Sequence, residues 1–225
     1  MFCKKCGVCQ SFNQQNLNLT KFHIDGKIVK INCNICNYFL AIIYDDKIID
    51  VNKIIDENIE NGWRKVQLNR DKILYYILSQ IIYPQIDTPK KDKYECYYDY
   101  CDKNDDVYLR WLDGKPVGFY TIKHKGTEII SCEKIYQMNT IDTAYIRSEY
   151  RNQGLGIEIL HDVIKHYQDQ DIGFSKPISD GMFQVLKKFL IKQKEYRLRF
   201  WEIEDGGTEG SAKLVWFILK KHFKN

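Results

Sequence analysis

Thr140-Ile141-Asp142-Thr143-Ala144-Tyr145-Ile146-Arg147, then Ser148-Glu149-Tyr150, then Arg151-Asn152-Gln153-Gly154-Leu155-Gly156, is the stretch whose reading decides the fold. Apolar and polar residues alternate over 140–147, which predicts a strand. Leu155, Ile159, Leu160, Val163, Ile164 and Tyr167 then recur at three- and four-residue spacing, so the predicted helix begins inside the glycine motif. A glycine-bearing turn between a strand and a helix suits phosphate. Small residues let the backbone come close, successive N–H groups point at the oxygens, and the helix N-terminus adds about half a positive charge. The expected cradle is the backbone from Ile146 through Asn152, Gln153, Gly154, Leu155, Gly156 and Ile157, with Arg147 and Arg151 adding charge-assisted hydrogen bonds. A bare G-x-G also fits a tight turn packed against a strand. The strand before it and the amphipathic helix after it favour the phosphate reading.

Upstream, Ile73, Leu74, Ile77, Leu78, Ile81 and Ile82 repeat at helical spacing, predicting a helix over Asp71 to Tyr83 that stops before Pro84. A shorter helix is expected over Val51 to Glu60. The charged, tyrosine-rich segment from Pro84 to Asp106 reads as a long connection. Val107–Leu112 and Pro116–Lys123 flank Asp113-Gly114, a hairpin signal. Downstream, a short strand is expected at Ile172–Ser175 and a helix at Ser179–Lys192. A last strand pair, Arg197–Glu204 and Lys213–Lys220, is expected around Asp205-Gly206-Gly207. The predicted class is α/β.

The 225 residues, 44% hydrophobic, suffice for one substantial core and a small accessory module. The formal net charge of +4 comes from scattered basic residues, so a nucleic-acid partner is permitted but not implied. The longest apolar runs, Phe39–Tyr44 and Leu214–Leu219, are far shorter than the roughly 20 residues that span a bilayer. The N-terminus lacks an apolar signal region, so a reducing compartment, cytoplasm or nucleus, is expected.

Such a compartment leaves disulfides a poor explanation for eight cysteines. Cys3-x-x-Cys6 and Cys33-x-x-Cys36 are two pairs whose sulfurs, each pair on one tight turn, would complete a tetrahedral zinc site. Cys9 and His23 are alternative ligands. The pairs are expected to be joined through a hairpin turning at Asp25-Gly26, after a polar loop over Gln10–Asn18 and before an apolar strand at Phe39–Tyr44. Cys96, Cys101 and Cys132 have no partner spacing and read as free thiols. The expected organisation is a zinc-ribbon-like module over 1–45 and a main domain over 46–225.

The strand, Ser148-Glu149-Tyr150-Arg151 and the glycine turn together resemble the acetyl-CoA-binding loop of the GNAT N-acetyltransferases, whose element order the chain also follows. A narrower resemblance, covering Asp71 to Gly206, is to the soluble lamina-associated protein family, a divergent GNAT-like group. Leu74-Tyr75-Tyr76-Ile77-Leu78, Ile81-Ile82-Tyr83, Gly118-Phe119-Tyr120, Asp142-Thr143, Tyr150-Arg151, Gly173-Phe174 and Trp201-Glu202 carry it. The resemblance implies a mixed central sheet flanked by helices, acetyl-CoA as acetyl donor and an amine acceptor. It equally allows a catalytically inactive interaction protein of the same fold. Attack on a thioester requires a neutral amine, and a lysine of pKa about 10.4 is neutral to about one part in a thousand near pH 7. A base is therefore needed. Asp142 and Glu202 are the candidates carried forward, with Glu128 and Glu133 behind them. Many GNAT enzymes protonate the leaving thiolate with a tyrosine on the helix after the fifth strand. Ser179–Lys192 contains none, so Tyr145 stands as the candidate, with Tyr196 behind it.

Overall fold

The computed structural model describes residues 3–7, 11–51, 53, 59–129 and 133–222. Its centre is a seven-stranded mixed sheet built from β5 (Gly62–Lys65), β6 (Asp106–Leu112), β7 (Lys115–Lys123), β10 (Asn139–Ile146), β11 (Ile172–Ser175), β12 (Phe200–Ile203) and β13 (Ala212–Leu214). The order is β13-β12-β11-β10-β7-β6-β5. β10, β11 and β12 run parallel, and the remaining neighbours are antiparallel. A separate ribbon pairs β8 (Glu128–Ile129) with β9 (Lys134–Ile135). The β6–β7 turn forms where its sequence signal lies: Asp113 and Gly114 take φ of 49° and 69°, the left-handed pair whose twist matches that of the strands.

Alternation along the strands gives the sheet two apolar faces. Phe119 and Tyr145 face a core with the helix α1 (Asn69–Tyr76) and its continuation. Tyr120, Ile122 and Ile141 face the opposite core, under α2 (Leu155–His166), α3 (Asp180–Lys192) and α4 (Val215–His222). Each fully buried Leu, Ile or Phe here contributes about 1.5–3 kcal/mol by leaving water. Ser179 caps α3, its Oγ accepting from the Met182 N–H.

A second, four-stranded antiparallel sheet precedes all this: β1 (Phe12–Leu17), β2 (Ile28–Cys33), β3 (Phe39–Tyr44) and β4 (Lys47–Ile49), in that order. Phe22, Ile24, Ile28, Phe39, Ile42 and Ile49 of this region lie in one cluster with Ile73, Leu74, Ile77 and Leu78, and with Trp111 and Phe119 of the main sheet. The two sheets thus enclose α1 between them.

Four sequence expectations are corrected. The amide-rich stretch expected to be a loop contains a strand: Phe12–Leu17 forms β1, registered on β2 residue for residue. The amide-rich strand covers the open edge of β2 while its side chains stay in solvent, where polarity costs nothing. Asp25-Gly26 does not itself make the tight turn: Thr20–Phe22 winds into a 3₁₀ turn, Phe22 and Ile24 are buried, and the antiparallel β1–β2 pair closes through the longer connection 18–27. The first helix does not stop before Pro84. It runs on as a π-helical segment, Ile77–Asp87, with Pro84 inside it. Burial of Ile77, Leu78, Ser79, Ile81, Ile82 and Tyr83 holds that segment against the core despite the one hydrogen bond a proline withholds. The last predicted strand is short. Only Ala212–Leu214 extends, and Val215 and Leu219, four apart and buried, seat a helix whose other face leaves Phe217 53% exposed. Arg197, expected in a strand, lies in a 3₁₀ turn with its guanidinium 3.9 Å from the Trp216 ring. The helix expected over Val51–Glu60, like Cys9 and Cys132, falls largely or wholly outside the described residues.

Candidate acyl-donor cleft and four-sulfur cluster

β10 and β11 pair only from Asn139–Ile141 to Ile172–Phe174, then part. On its other side β10 carries a bulge: Ile141 opposes Ile122 but Ala144 opposes Tyr120, so one extra residue is inserted at Asp142–Thr143. The bulge bends the strand and re-aims the residues beyond it. The result is a wedge-shaped cleft of about 690 Å³ between β10, the 150–157 turn, the end of β11 and one face of α3. Thr143 N–H donates to Thr121 Oγ1 and Arg147 N–H to the Val117 carbonyl, so both turn toward β7. By alternation Ala144 and Ile146 turn their backbone groups toward the wedge. The Ala144 carbonyl accepts the Tyr98 hydroxyl at 2.9 Å, and the Ile146 carbonyl accepts Arg151 Nε at 2.9 Å.

The glycine turn closes the cleft at the N-terminus of α2. Gly154 takes φ +88° as the residue that caps α2, with nothing within 4 Å of where a Cβ would sit. Its glycine is required by backbone conformation. Gly156 answers to a different constraint, since a Cβ there would lie 2.7 Å from Val185 Cγ2 of α3. Asn152, at φ 62°, also adopts the left-handed region. Among the described residues the N–H groups of Asn152, Gln153, Gly154, Leu155 and Gly156 have no protein acceptor, while Ile157 N–H donates to the Gly154 carbonyl at 2.9 Å. Five successive amides therefore remain for a ligand, and Ile157 reaches the cleft only through its side of the helix.

The two arginines part company. Arg151 lines the cleft, bracing the end of β10 through Nε and standing 3.6 Å from Glu95. Arg147, expected at the phosphate, does not reach it: it is buried, donates to the Val51 carbonyl at 3.3 Å, and pairs with Glu149 at 2.6 Å.

Asp142 sits where the strands separate and accepts a hydrogen bond from Ser175 Oγ, at the tip of β11, at 2.6 Å. Glu202 is not with it. Paired in register between Phe174 and Lys213, it lies one strand beyond the cleft and outside its lining. Glu128 and Glu133 are exposed and likewise outside that lining. Tyr145 is buried with its hydroxyl donated to Asp87 at 2.6 Å, and Asp87 also takes the Ser148 N–H and Oγ at 2.8 Å. Burial, then the Asp87 carboxylate, push the Tyr145 phenol far above its usual range. Through Asp87 it ties the long helix to the start of the glycine turn. Tyr196 packs against Phe189 and Phe200 away from the cleft.

One wall went unforeseen. Residues 94–99, read as part of a connection, line the cleft opposite α3. Tyr98 stacks on Tyr83 with ring centroids 4.4 Å apart, and Tyr83 donates to the Cys96 carbonyl at 3.0 Å. The density of tyrosine between 94 and 100 was the available signal.

At the far end of the small sheet, Gly7 N–H closes the Cys3 turn at 3.0 Å and Asn37 N–H closes the Cys33 turn at 2.9 Å. Cys3 and Cys36 sulfurs lie 3.5 Å apart, Cys6 and Cys33 sulfurs 3.6 Å, and all four within 4.8 Å of one another. Ligands about 2.3 Å from a tetrahedral ion stand about 3.8 Å from each other, so the donor set fits such an ion. His23 is exposed and outside this group, which removes it as an alternative ligand. Cys96 and Cys101 are free thiols, as expected.

Parts of the chain are similar to known proteins. Residues 74–178 match the family model of the acetyltransferase (GNAT) family. The mouse protein FAM169B is 30% identical over 158 residues, 69% of this chain and 47% of that protein. The human protein FAM169BP is 29% identical over 123 residues, 54% of this chain and 64% of that protein. The chain thus spans about half to two thirds of the curated relatives it matches. Among solved structures, an aminoglycoside acetyltransferase from an uncultured soil metagenomic sample aligns at TM-score 0.40 and 13% identity, over 59% of this chain and 86% of that one. A ribosomal-protein-alanine N-acetyltransferase from Brucella melitensis aligns at 0.37 and 16%, over 60% and 91%. With a mixed sheet flanked by helices, strands that part beside a glycine turn and a family match across that region, the chain has the GNAT fold.

Proposed function

We propose that the chain is an N-acetyltransferase that takes its acetyl group from acetyl-CoA and gives it to an amine. The observation that carries the reading is the joining of two features in one cleft: five free amides at the α2 N-terminus, and an opened strand edge leading from them to Asp142. The amides of Asn152 to Gly156 hold the pyrophosphate, with Arg151 beside them. The backbone N–H groups of Ala144 and Ile146, whose carbonyls already accept from Tyr98 and Arg151, would serve the pantetheine arm. Acetyl-CoA supplies an activated acyl group. The amine nitrogen forms the new C–N bond, the C–S bond breaks with its electron pair on sulfur, and the proton lost by nitrogen balances the thiolate. Asp142, its carboxylate oriented by Ser175, is the group placed to accept that proton.

The four-sulfur cluster is proposed to hold one structural zinc ion, saturated by Cys3, Cys6, Cys33 and Cys36 and fastening residues 3–7 to the β2–β3 turn. The organisation proposed is accordingly a zinc-bearing sheet joined to an acetyltransferase domain. Calorimetric titration with acetyl-CoA, followed by a thiol-release assay across amines, tests the main reading. Binding without thiol release from any amine would leave an interaction protein of the same fold. Elemental analysis of chelator-free protein tests the metal, with about one zinc per chain expected and none after Cys33→Ser.

A further inference from the structure

The charged side chains lining the cleft are of both signs, and Arg151 and Glu95 meet at 3.6 Å. Arg151, Lys176 and Lys188 lie on the glycine turn and on the segment from β11 through α3, whereas Glu95, Asp99 and Asp142 lie on residues 94–99 and β10. The acidic wall is also aromatic, in the sequence Tyr94-Glu95-Cys96-Tyr97-Tyr98-Asp99. Tyr98 is spent on structure, but Tyr94 and Tyr97 line the cleft while remaining 61% and 60% exposed. Just beyond this segment and outside the cleft lining, Lys21 Nζ lies 5.2 Å from the centroid of the Tyr100 ring. Tyrosine faces and carboxylates on one wall attract cations twice over, through the ring quadrupole and through charge.

We propose that the acceptor in this cleft is an amine carrying a second positive charge, held by Tyr97 and Asp99 while its reacting nitrogen stands at Asp142. This rests on the acetyltransferase reading and adds the substrate class to it. The glycine-turn amides and Arg151 serve the phosphate anions, and Tyr97, Asp99 and Asp142 serve the cation. Acetylation removes the charge from one nitrogen and leaves the other, so the product keeps half of its hold and departs more easily than the substrate. Two sources share this chemistry, a free polyamine and a lysine flanked by basic residues in a peptide.

Isothermal calorimetry on the full chain separates these possibilities, using spermidine, a lysine-rich hexapeptide and butylamine, each with and without CoA. The expected result is that spermidine, the peptide or both bind at least tenfold more tightly than butylamine. That advantage should shrink as salt rises from about 0.05 to 0.3 M. Tyr97→Leu and Asp99→Asn should each weaken polycation binding by about threefold, the scale of one exposed cation–π contact, and leave CoA affinity unchanged. Binding of spermidine alone identifies a polyamine acceptor, binding of the peptide alone a protein lysine. Equal affinity for butylamine and both polycations, no amine binding, or full affinity in the Tyr97→Leu/Asp99→Asn double variant overturns the proposal. Failure of CoA itself to bind would instead overturn the acetyltransferase reading, while the CoA-free isotherms still decide the amine question.

Discussion

Alanine at Gly154 and at Gly156, each alone and each with Val185→Ala, separates two reasons why the turn carries glycine. At Gly154 the would-be Cβ meets nothing within 4 Å, so the whole cost of Gly154→Ala is an L-residue held at φ +88°. That strain is about 1–2 kcal/mol, partly offset by about 0.4–1 kcal/mol of lost freedom in the unfolded chain. At Gly156 the backbone is helical and the obstacle is Val185 Cγ2 at 2.7 Å, against 3.4–4 Å for an ordinary contact. Overpacking there costs about 1–3 kcal/mol, against about 1 kcal/mol gained in helix propensity. Val185→Ala removes the obstructing methyl. It should therefore rescue Gly156→Ala, with a coupling above about 0.5 kcal/mol, and leave Gly154→Ala uncoupled within about that amount. Urea midpoints of the wild type and five variants measure stability, and acetyl-CoA titration of each reports whether the amides stay in place. Gly154→Ala with wild-type stability and wild-type affinity would refute the turn geometry. A Gly156→Ala defect untouched by Val185→Ala would refute the α2–α3 contact.

Asp142→Asn should lower kcat by about a hundredfold or more with acetyl-CoA affinity unchanged, whereas Glu202→Gln, one strand away from the cleft, should change kcat little. Steady-state rates for the two variants decide between these carboxylates, and a larger loss for Glu202→Gln would reverse the assignment. Tyr145→Phe leaves Asp87 its two hydrogen bonds from Ser148 and should cost about 0.5–1.5 kcal/mol of stability with turnover retained; a collapse of kcat in a folded variant would restore the tyrosine as an acid. Burial, then the Asp105 charge, push the Cys101 thiol up to about 11. Between its ordinary value and that one the native chain keeps a proton that the unfolded chain releases, so Cys101 contributes a fall in stability with rising pH, at up to about 1.4 kcal/mol per pH unit. Urea midpoints from pH 8.5 to 11 should drop less steeply for Cys101→Ala than for the wild type, and parallel curves would contradict the shift.

The main sheet was largely legible because its signals are local. The alternation of 140–147, the Asp113-Gly114 turn and the helical spacing after Gly154 each specify one element without help from distant residues. β1 was not legible, because a strand made mostly of Asn and Gln has no apolar face to betray it; only pairing with β2 makes it extended. The segment through Pro84 and the final helix failed for the opposite reason, since tertiary burial overrode a local stop signal in one and an apolar run fitted either period in the other. Within the site, residue types near the glycine turn were readable but their directions were not. Arg147 is buried outside the cleft, and Tyr145, though part of its lining, gives its hydroxyl to Asp87; neither that partner nor the bulge at Asp142–Thr143 leaves a mark in composition. The wall at 94–99 comes from a segment whose position depends on where Tyr98 finds an acceptor.

The segment that matches the acetyltransferase family, residues 74–178, is shorter than the smallest piece of this chain with a closed interior. Phe200, Val215 and Leu219 come from beyond its end, and Phe22, Ile24, Ile28, Phe39 and Ile42 from before its start, yet all are buried against residues inside it. A fragment cut at the family limits would bare both faces of the sheet at once and lose β12, the parallel partner that holds β11 in place. The minimal folding unit therefore runs from about Leu19 to Leu219, and the small N-terminal sheet is the outer wall of the enzyme-like domain's own interior. A truncation that separates the two sheets would open the interior they share.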